Sequence, residues 1–198
     1  MFAQVQDGAI IRTGFSVQKM FPNVSFSGMP NSEFLTENNI QDVVEAERKD
    51  RLYYYVTQGD VVLVDGVPTQ QYTNTAMAIE DVDAVDSDGN PIYVQEYDAS
   101  ANGGEGAMVD TSVQMINRGL KYTFKNRIKS QANSALANTD WMVIRKAERS
   151  VEIPAATVTY RAAIITEYDR LKAAITGAAD VDALAVVMGA QNWPVEAI

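Results

Sequence analysis

The sequence predicts an α+β protein: an N-terminal antiparallel β-rich, turn-rich part, then a C-terminal helical hairpin with a short extra helix. Three observations predict it. Asp-Gly turns separate β-branched and aromatic runs early in the chain. Acidic and glycine-rich turns fill the middle. Beyond residue 110, apolar residues recur at spacings of three and four, the period of a helix face. Strand-like and helix-like stretches occupy separate regions instead of alternating, which favours α+β over βαβ units. The expected organisation is a β-rich docking part over 1–72, an acidic, Gly-rich hairpin and linker over 73–111, and a helical domain over 112–198.

In order, "MFAQV" and "AIIRT" flank Gln6-Asp7-Gly8, a hairpin signal because Asp-Gly accepts the positive φ angles of a tight turn. Residues 16–40 are irregular, broken by Pro22, Gly28 and Pro30, with one short helix expected behind Ser32 as N-cap. Leu52–Val56 reads as an aromatic strand and Gln58-Gly59-Asp60 as a turn. Val61–Val64 is then a second strand, and Asp65-Gly66 turns into Val67–Tyr72. "AVDSDGNPIYVQEY" suggests another hairpin, and "DASANGGEGAMVD" a loop or linker.

Val113, Ile116, Leu120, Phe124, Ile128, Ala132 and Leu136 predict one stripe of a long helix that Asn138-Thr139-Asp140 closes. Pro154 suits the first turn of a second helix, whose expected apolar face is Val158, Ala162, Ile165, Tyr168 and Ile175. Gly177 stops it, and Asp180 caps a last short helix. Between the two long helices, Trp141 is expected to bury its ring against both and close a joint that includes Asp140, Pro154 and Tyr160.

Composition narrows the chemistry. The 198 residues carry a net charge of −10 and contain neither His nor Cys. Disulfides, Ser-His-Asp or Cys-His catalysis and His/Cys zinc sites are therefore impossible. The acidic balance argues against nucleic acid as a partner. No apolar run has transmembrane length and the start lacks a signal-peptide pattern, so a soluble protein with no membrane partner is expected.

"DVDAVDSDGN" resembles a calcium loop only in part. An EF-hand frame puts Ala84 first and Gln95 where the closing Glu belongs, so a solvated acidic turn is the better reading. The basic positions Arg118, Lys121, Lys125, Arg127 and Lys129 read as a solvated face or one paired with the acidic N-terminal half. "NGGEGAMVD" lacks the Lys-Ser/Thr ending of a phosphate loop. No catalytic, cofactor or metal residue is expected. Tyr53, Tyr54 and Tyr55 are the candidates for an interface patch. Strand alternation would put Tyr53 and Tyr55 on one face and Tyr54 on the other.

"SALANTDWMVIRKAERSVEIPAATVTYRAAI" resembles the C-terminal region of tailed-bacteriophage tail-fibre and tail-fibre-assembly proteins. The carrying residues are Leu136, Ala137, Thr139, Asp140 and Trp141, then Pro154, Tyr160, Arg161 and Ala162. "MFAQVQDGAIIRTGFSV", "NVSFSGMPNSEFLTENNI" and "LVDGV" are similar to pieces of small tail-associated proteins, in the same order. Residues 73–111 depart from the pattern, with acidic turns and glycines in place of a charged helical link.

The resemblance implies a non-enzymatic virion component that docks on other tail or baseplate proteins: a fibre, fibre adaptor or baseplate accessory. It would be made in the host cytoplasm and associate with copies of itself, a trimer being favoured because phage fibres commonly are. An assembly chaperone that leaves the particle is one alternative. A host-glycan-binding tip with Tyr53 to Tyr55 as stacking residues is another.

Overall fold

The computed structural model describes residues 1–195. The class is α+β: mixed and antiparallel sheets come first, then a long helical hairpin and a short helix. The chain divides into two compact units, Met1–Ala76 and Met77–Ile198.

In the first unit, β1 (Phe2–Gln6) and β2 (Ala9–Gly14) form the predicted hairpin. Asp7 and Gly8 sit at φ 51° and 73°, as a two-residue primed turn requires. Between β2 and the next strand lie α1 (Val17–Met20) and α2 (Ser32–Glu37). Asn31, one residue ahead of the expected Ser32, caps α2, its side chain accepting from the Phe34 N–H at 3.0 Å. β3 (Ile40–Asp42) joins the free side of β1, giving the antiparallel order β2-β1-β3.

A second sheet has the order β4-β6-β5, from β4 (Val44–Glu45), β5 (Tyr54–Val64) and β6 (Val67–Ala76). Asp65-Gly66 makes the predicted turn between β5 and β6. Gln58-Gly59-Asp60, expected to be a turn, is instead a bulge within the continuous β5. The buried Gln70 makes it possible: it donates to the Gly59 carbonyl at 2.6 Å and accepts from Gln58 Nε2 at 2.8 Å. A bulge whose loose polar groups are answered locally costs little and lets the strand continue.

The second unit begins with β7 (Val82–Asp83), β8 (Tyr93–Asp98), the irregular turn α3 (Ala101–Gly104), β9 (Ala107–Gln114) and β10 (Ile116–Asn117). β8 pairs antiparallel with β9, and β7 with β10. The segment "DASANGGEGAMVD", expected as a loop or linker, therefore supplies a hairpin tip and its strand ends.

Three helices follow: α4 (Leu120–Arg149), α5 (Ala155–Gly177) and α6 (Val181–Gly189). The first helix starts later than predicted. Val113 and Ile116 lie in β9 and β10, exposed to solvent, and not on the helical stripe. The start is set by tertiary bonds. Leu120 N–H and Lys121 N–H, which have no partner inside their own helix, donate to the carbonyls of Ala78 and Ile79, both at 3.0 Å. Gly119 N–H donates to Asp81 Oδ1 at 2.9 Å.

α4 also ends later than predicted, running through Asn138-Thr139-Asp140 to a left-handed Ser150 at φ 55°. Poor helix formers cost only a few tenths of a kcal/mol each, less than their tertiary contacts return. Leu120, Phe124, Ile128 and Ala132 are buried as predicted. Pro154 is the N-cap position of α5, and Asp180 caps α6 as expected, accepting from the Ala183 N–H at 2.8 Å. On α5 the buried face is Ile164, Glu167, Leu171 and Ile175. Val158 and Ile165, expected to pack inward, are each 50% exposed.

Candidate docking surface

Thr139 and Asp140 of the Thr-Asp-Trp motif meet Arg161 of the Tyr-Arg motif across α4 and α5. Thr139 is buried, and its hydroxyl donates back to the Leu136 carbonyl at 2.9 Å. From α5, the Arg161 guanidinium donates to Thr139 Oγ1 at 2.6 Å and to the Leu136 carbonyl at 3.0 Å. It also pairs with Asp140 Oδ1 at 2.9 Å. One planar cation thus joins three acceptors of the neighbouring helix, a task suited to Arg's rigid fork of donors. Tyr160 beside it is half-buried.

Trp141 does not close a buried joint. It lies inside α4, 51% exposed. Two residues beyond the buried Thr139 is about 200° around a helix, so the indole points away from α5. The Arg145 guanidinium stacks over it, 4.7 Å from the ring centroid, and Ile144 is exposed nearby in sequence. The chain reversal itself comes later, at Ser150–Pro154. Trp141, Ile144 and Arg145 therefore form a surface patch, aromatic and cationic, of the composition that protein contacts favour.

A groove opens on one flank of the α4–α5 seam. Its volume is about 350 Å³, with Leu136, Ile164, Ile165 and Tyr168 in its walls and Lys129 and Asp169 at its polar edges. The opposite flank carries α6, tied down where the Glu167 carboxylate accepts from Arg170 and from the Asn192 N–H at 2.7 Å. Those bonds, Arg170 first and the Asn192 N–H after it, hold the Glu167 carboxyl below the usual glutamate range. Sequence periodicity misses the groove because α5 is apolar on two faces and periodicity alone does not say which one packs.

The tyrosines separate. Tyr53 precedes β5 and is buried, Tyr54 is half-buried, and Tyr55 is 64% exposed on the strand. The expected pairing of Tyr53 with Tyr55 on one face fails because Tyr53 is outside the strand, where alternation does not apply. Val62, Val64 and Val67, also exposed, lie toward the turn end of the same hairpin, apart from Tyr55.

The acidic run is held by local bonds. Asp86 accepts from the N–H groups of Asp88 and Asn90, both at 2.9 Å, and these bonds, Asn90's foremost, hold its carboxyl below the ordinary value. Asp81 is lowered by the Gly119 N–H first and by Arg118, whose guanidinium lies 2.6 Å away, second. Lys121 pairs with Glu80. Arg118, just ahead of α4 and not on the helix face expected, and Lys121 in its first turn are thus each paired with an acidic neighbour. Among the described residues, no cluster of three or more acidic side chains is arranged to hold a metal ion, and no helix is long and apolar enough to cross a membrane.

No protein-family model, curated protein or solved structure matches this chain.

Proposed function

We propose that this protein is a non-enzymatic structural component of a bacteriophage tail, a fibre, fibre adaptor or baseplate accessory, that works by docking on neighbouring tail proteins. The observation that supports the reading is the motif that resembles tail proteins. Its Thr139, Asp140 and Arg161 lock two helices together, and its Trp141 stands on the surface with Arg145 stacked on it. Residues that hold a scaffold rigid beside an exposed aromatic anchor are the parts a docking element needs.

Mass spectrometry of gradient-purified particles tests it, measuring this chain against a tail protein of known copy number. Stoichiometric presence is expected. Absence from particles together with abundance in the lysate would move the assignment to an assembly chaperone. Trp141→Ala is expected to leave the chain folded while lowering its incorporation into particles. Unchanged incorporation would remove Trp141 from the docking surface.

A further inference from the structure

We infer that Asn102, at the tip of the β8–β9 hairpin, is a covalent self-modification site. Its side-chain amide converts to aspartate and isoaspartate through a cyclic imide closed by the Gly103 nitrogen. This reaction requires neither the tail assignment nor the docking surface.

The reacting pair is singled out by sequence. Of the twelve asparagines in the chain, Asn102 alone is followed by glycine. A side chain on the following residue crowds the ring as it closes, and glycine has none. Asn90, in the other exposed turn of this region, precedes Pro91, which has no N–H to give.

The fold leaves the pair free to react. Asn102 is exposed and left-handed, at φ 54° and ψ 40°, and Gly103 follows at φ 71°. Closure requires the peptide plane between them to turn until the Gly103 nitrogen reaches Asn102 Cγ. Leaving the left-handed region relieves a residue that carries a Cβ, so the rotation costs little. Beyond it, nothing lies within 4 Å of where a Cβ on Gly103 or Gly104 would stand. Among the described residues, no hydrogen bond holds the Gly103 N–H. The bonds that oppose the rotation are long ones. Glu105 N–H donates to the Asn102 carbonyl at 3.4 Å, and Asn102 Nδ2 donates to Glu105 Oε2 at 3.2 Å on the surface. No residue from 93 to 114 is buried, so this two-stranded hairpin has no core to lock its tip.

The step balances with water as the only co-reactant. The Gly103 nitrogen gives its proton to solvent base and attacks Asn102 Cγ. The N–Cγ bond forms, the Cγ–Nδ2 bond breaks, and the side-chain nitrogen leaves as ammonia with a proton from water. Water then opens the ring. Breaking the new N–Cγ bond gives aspartate. Breaking the bond from the same nitrogen to the main-chain carbonyl carbon gives isoaspartate, with the chain rerouted through Cγ. Either product adds a carboxylate to a hairpin that holds Glu96, Asp98, Glu105 and Asp110 and no Lys or Arg between 93 and 114. In the aspartate product the contact with Glu105 changes from a hydrogen bond to a repulsion between like charges.

Mass spectrometry of the folded full chain, aged at neutral and at mildly alkaline pH, tests the inference. A glutamate-specific protease releases Tyr97–Glu105, which contains Asn102 and no other side-chain amide. That peptide is expected to show the amide-to-acid mass change before any of the other eleven asparagines does. Its product should contain isoaspartate as well as aspartate, and the rate should rise with pH because the attacking nitrogen must lose its proton. Asn102→Gln should remove the change on the same timescale, since the longer side chain closes a larger ring more slowly. An intact Asn102 in the folded chain, while the urea-unfolded chain converts, would show that the fold blocks closure and overturns the inference. So does a product that is aspartate alone, which means direct hydrolysis, or an earlier conversion at another asparagine. None of these results depends on retention in particles, so the phage assignment stands or falls separately.

Discussion

Arg161 shows what one side chain does for this fold. It spans from α5 to the Leu136 carbonyl, the Thr139 hydroxyl and the Asp140 carboxylate. Arg161→Ala is expected to destabilise by roughly 2 kcal/mol or more in chemical denaturation, because it strands acceptors in a part-buried contact. Arg161→Lys should recover little of that, since an ammonium cannot present a planar fork. Trp141→Ala, by contrast, should cost less than about 1 kcal/mol, the ring being half in solvent. A large loss there would mean that the indole is buried in solution.

Glu167 contributes a pH dependence of definite sign. Its folded pKa lies below its unfolded value, held down by Arg170 first and by the Asn192 N–H after it. Its stabilisation is therefore complete above the unfolded value and is lost as pH falls through the folded one. Unfolding free energies measured from pH 7 downward should drop more steeply for the native chain than for Glu167→Gln.

At the scale of elements, the start of α4 depends on its docking against residues 78–81. A Cβ on Gly119 would stand 2.3 Å from the Glu80 carbonyl oxygen and 2.6 Å from that of Ile79, both backbone atoms with little room to yield. Gly119→Ala should therefore destabilise the second unit by about 2–3 kcal/mol, read from thermal or denaturant unfolding. A neutral result would show that the segment is not held there. The same contact explains a boundary error. The three-and-four spacing that runs on from Val113 through Leu120 is coincidental upstream of Gly119, where Val113 and Ile116 belong to strands. Asp7-Gly8 and Asp65-Gly66 were legible because their positive φ angles are demanded locally and supplied by local residue types. The bulge at Gln58–Asp60 was not, because it depends on Gln70 from the partner strand.

At the scale of the molecule, each of the two units has its own buried set. Ala3, Val17, Met20, Ile40 and Tyr53 serve the first, while Phe124, Ile128, Ile164, Leu171 and Leu184 are among those of the second. Phe124→Ala is expected to cost about 3–5 kcal/mol, the usual range for emptying a buried aromatic site. Native-state hydrogen exchange should show that loss in amides beyond residue 77 and leave those of the first unit protected. A uniform loss over the whole chain would show that the units unfold as one.

The sequence by itself determined the α+β class, the Asp-Gly hairpins, the cap at Asp180 and the inward residues Leu120, Phe124, Ile128 and Ala132. Turn chemistry and short-range periodicity carry that information within a few residues. Tertiary structure alone decided that α4 passes through Thr139-Asp140, that Trp141 faces solvent, and that Ile164 packs inward where Ile165 does not. Those outcomes depend on which of two apolar faces meets a partner, and on bonds such as Arg161 to Thr139 that join residues far apart in the chain. Periodicity offers both faces, and packing selects between them.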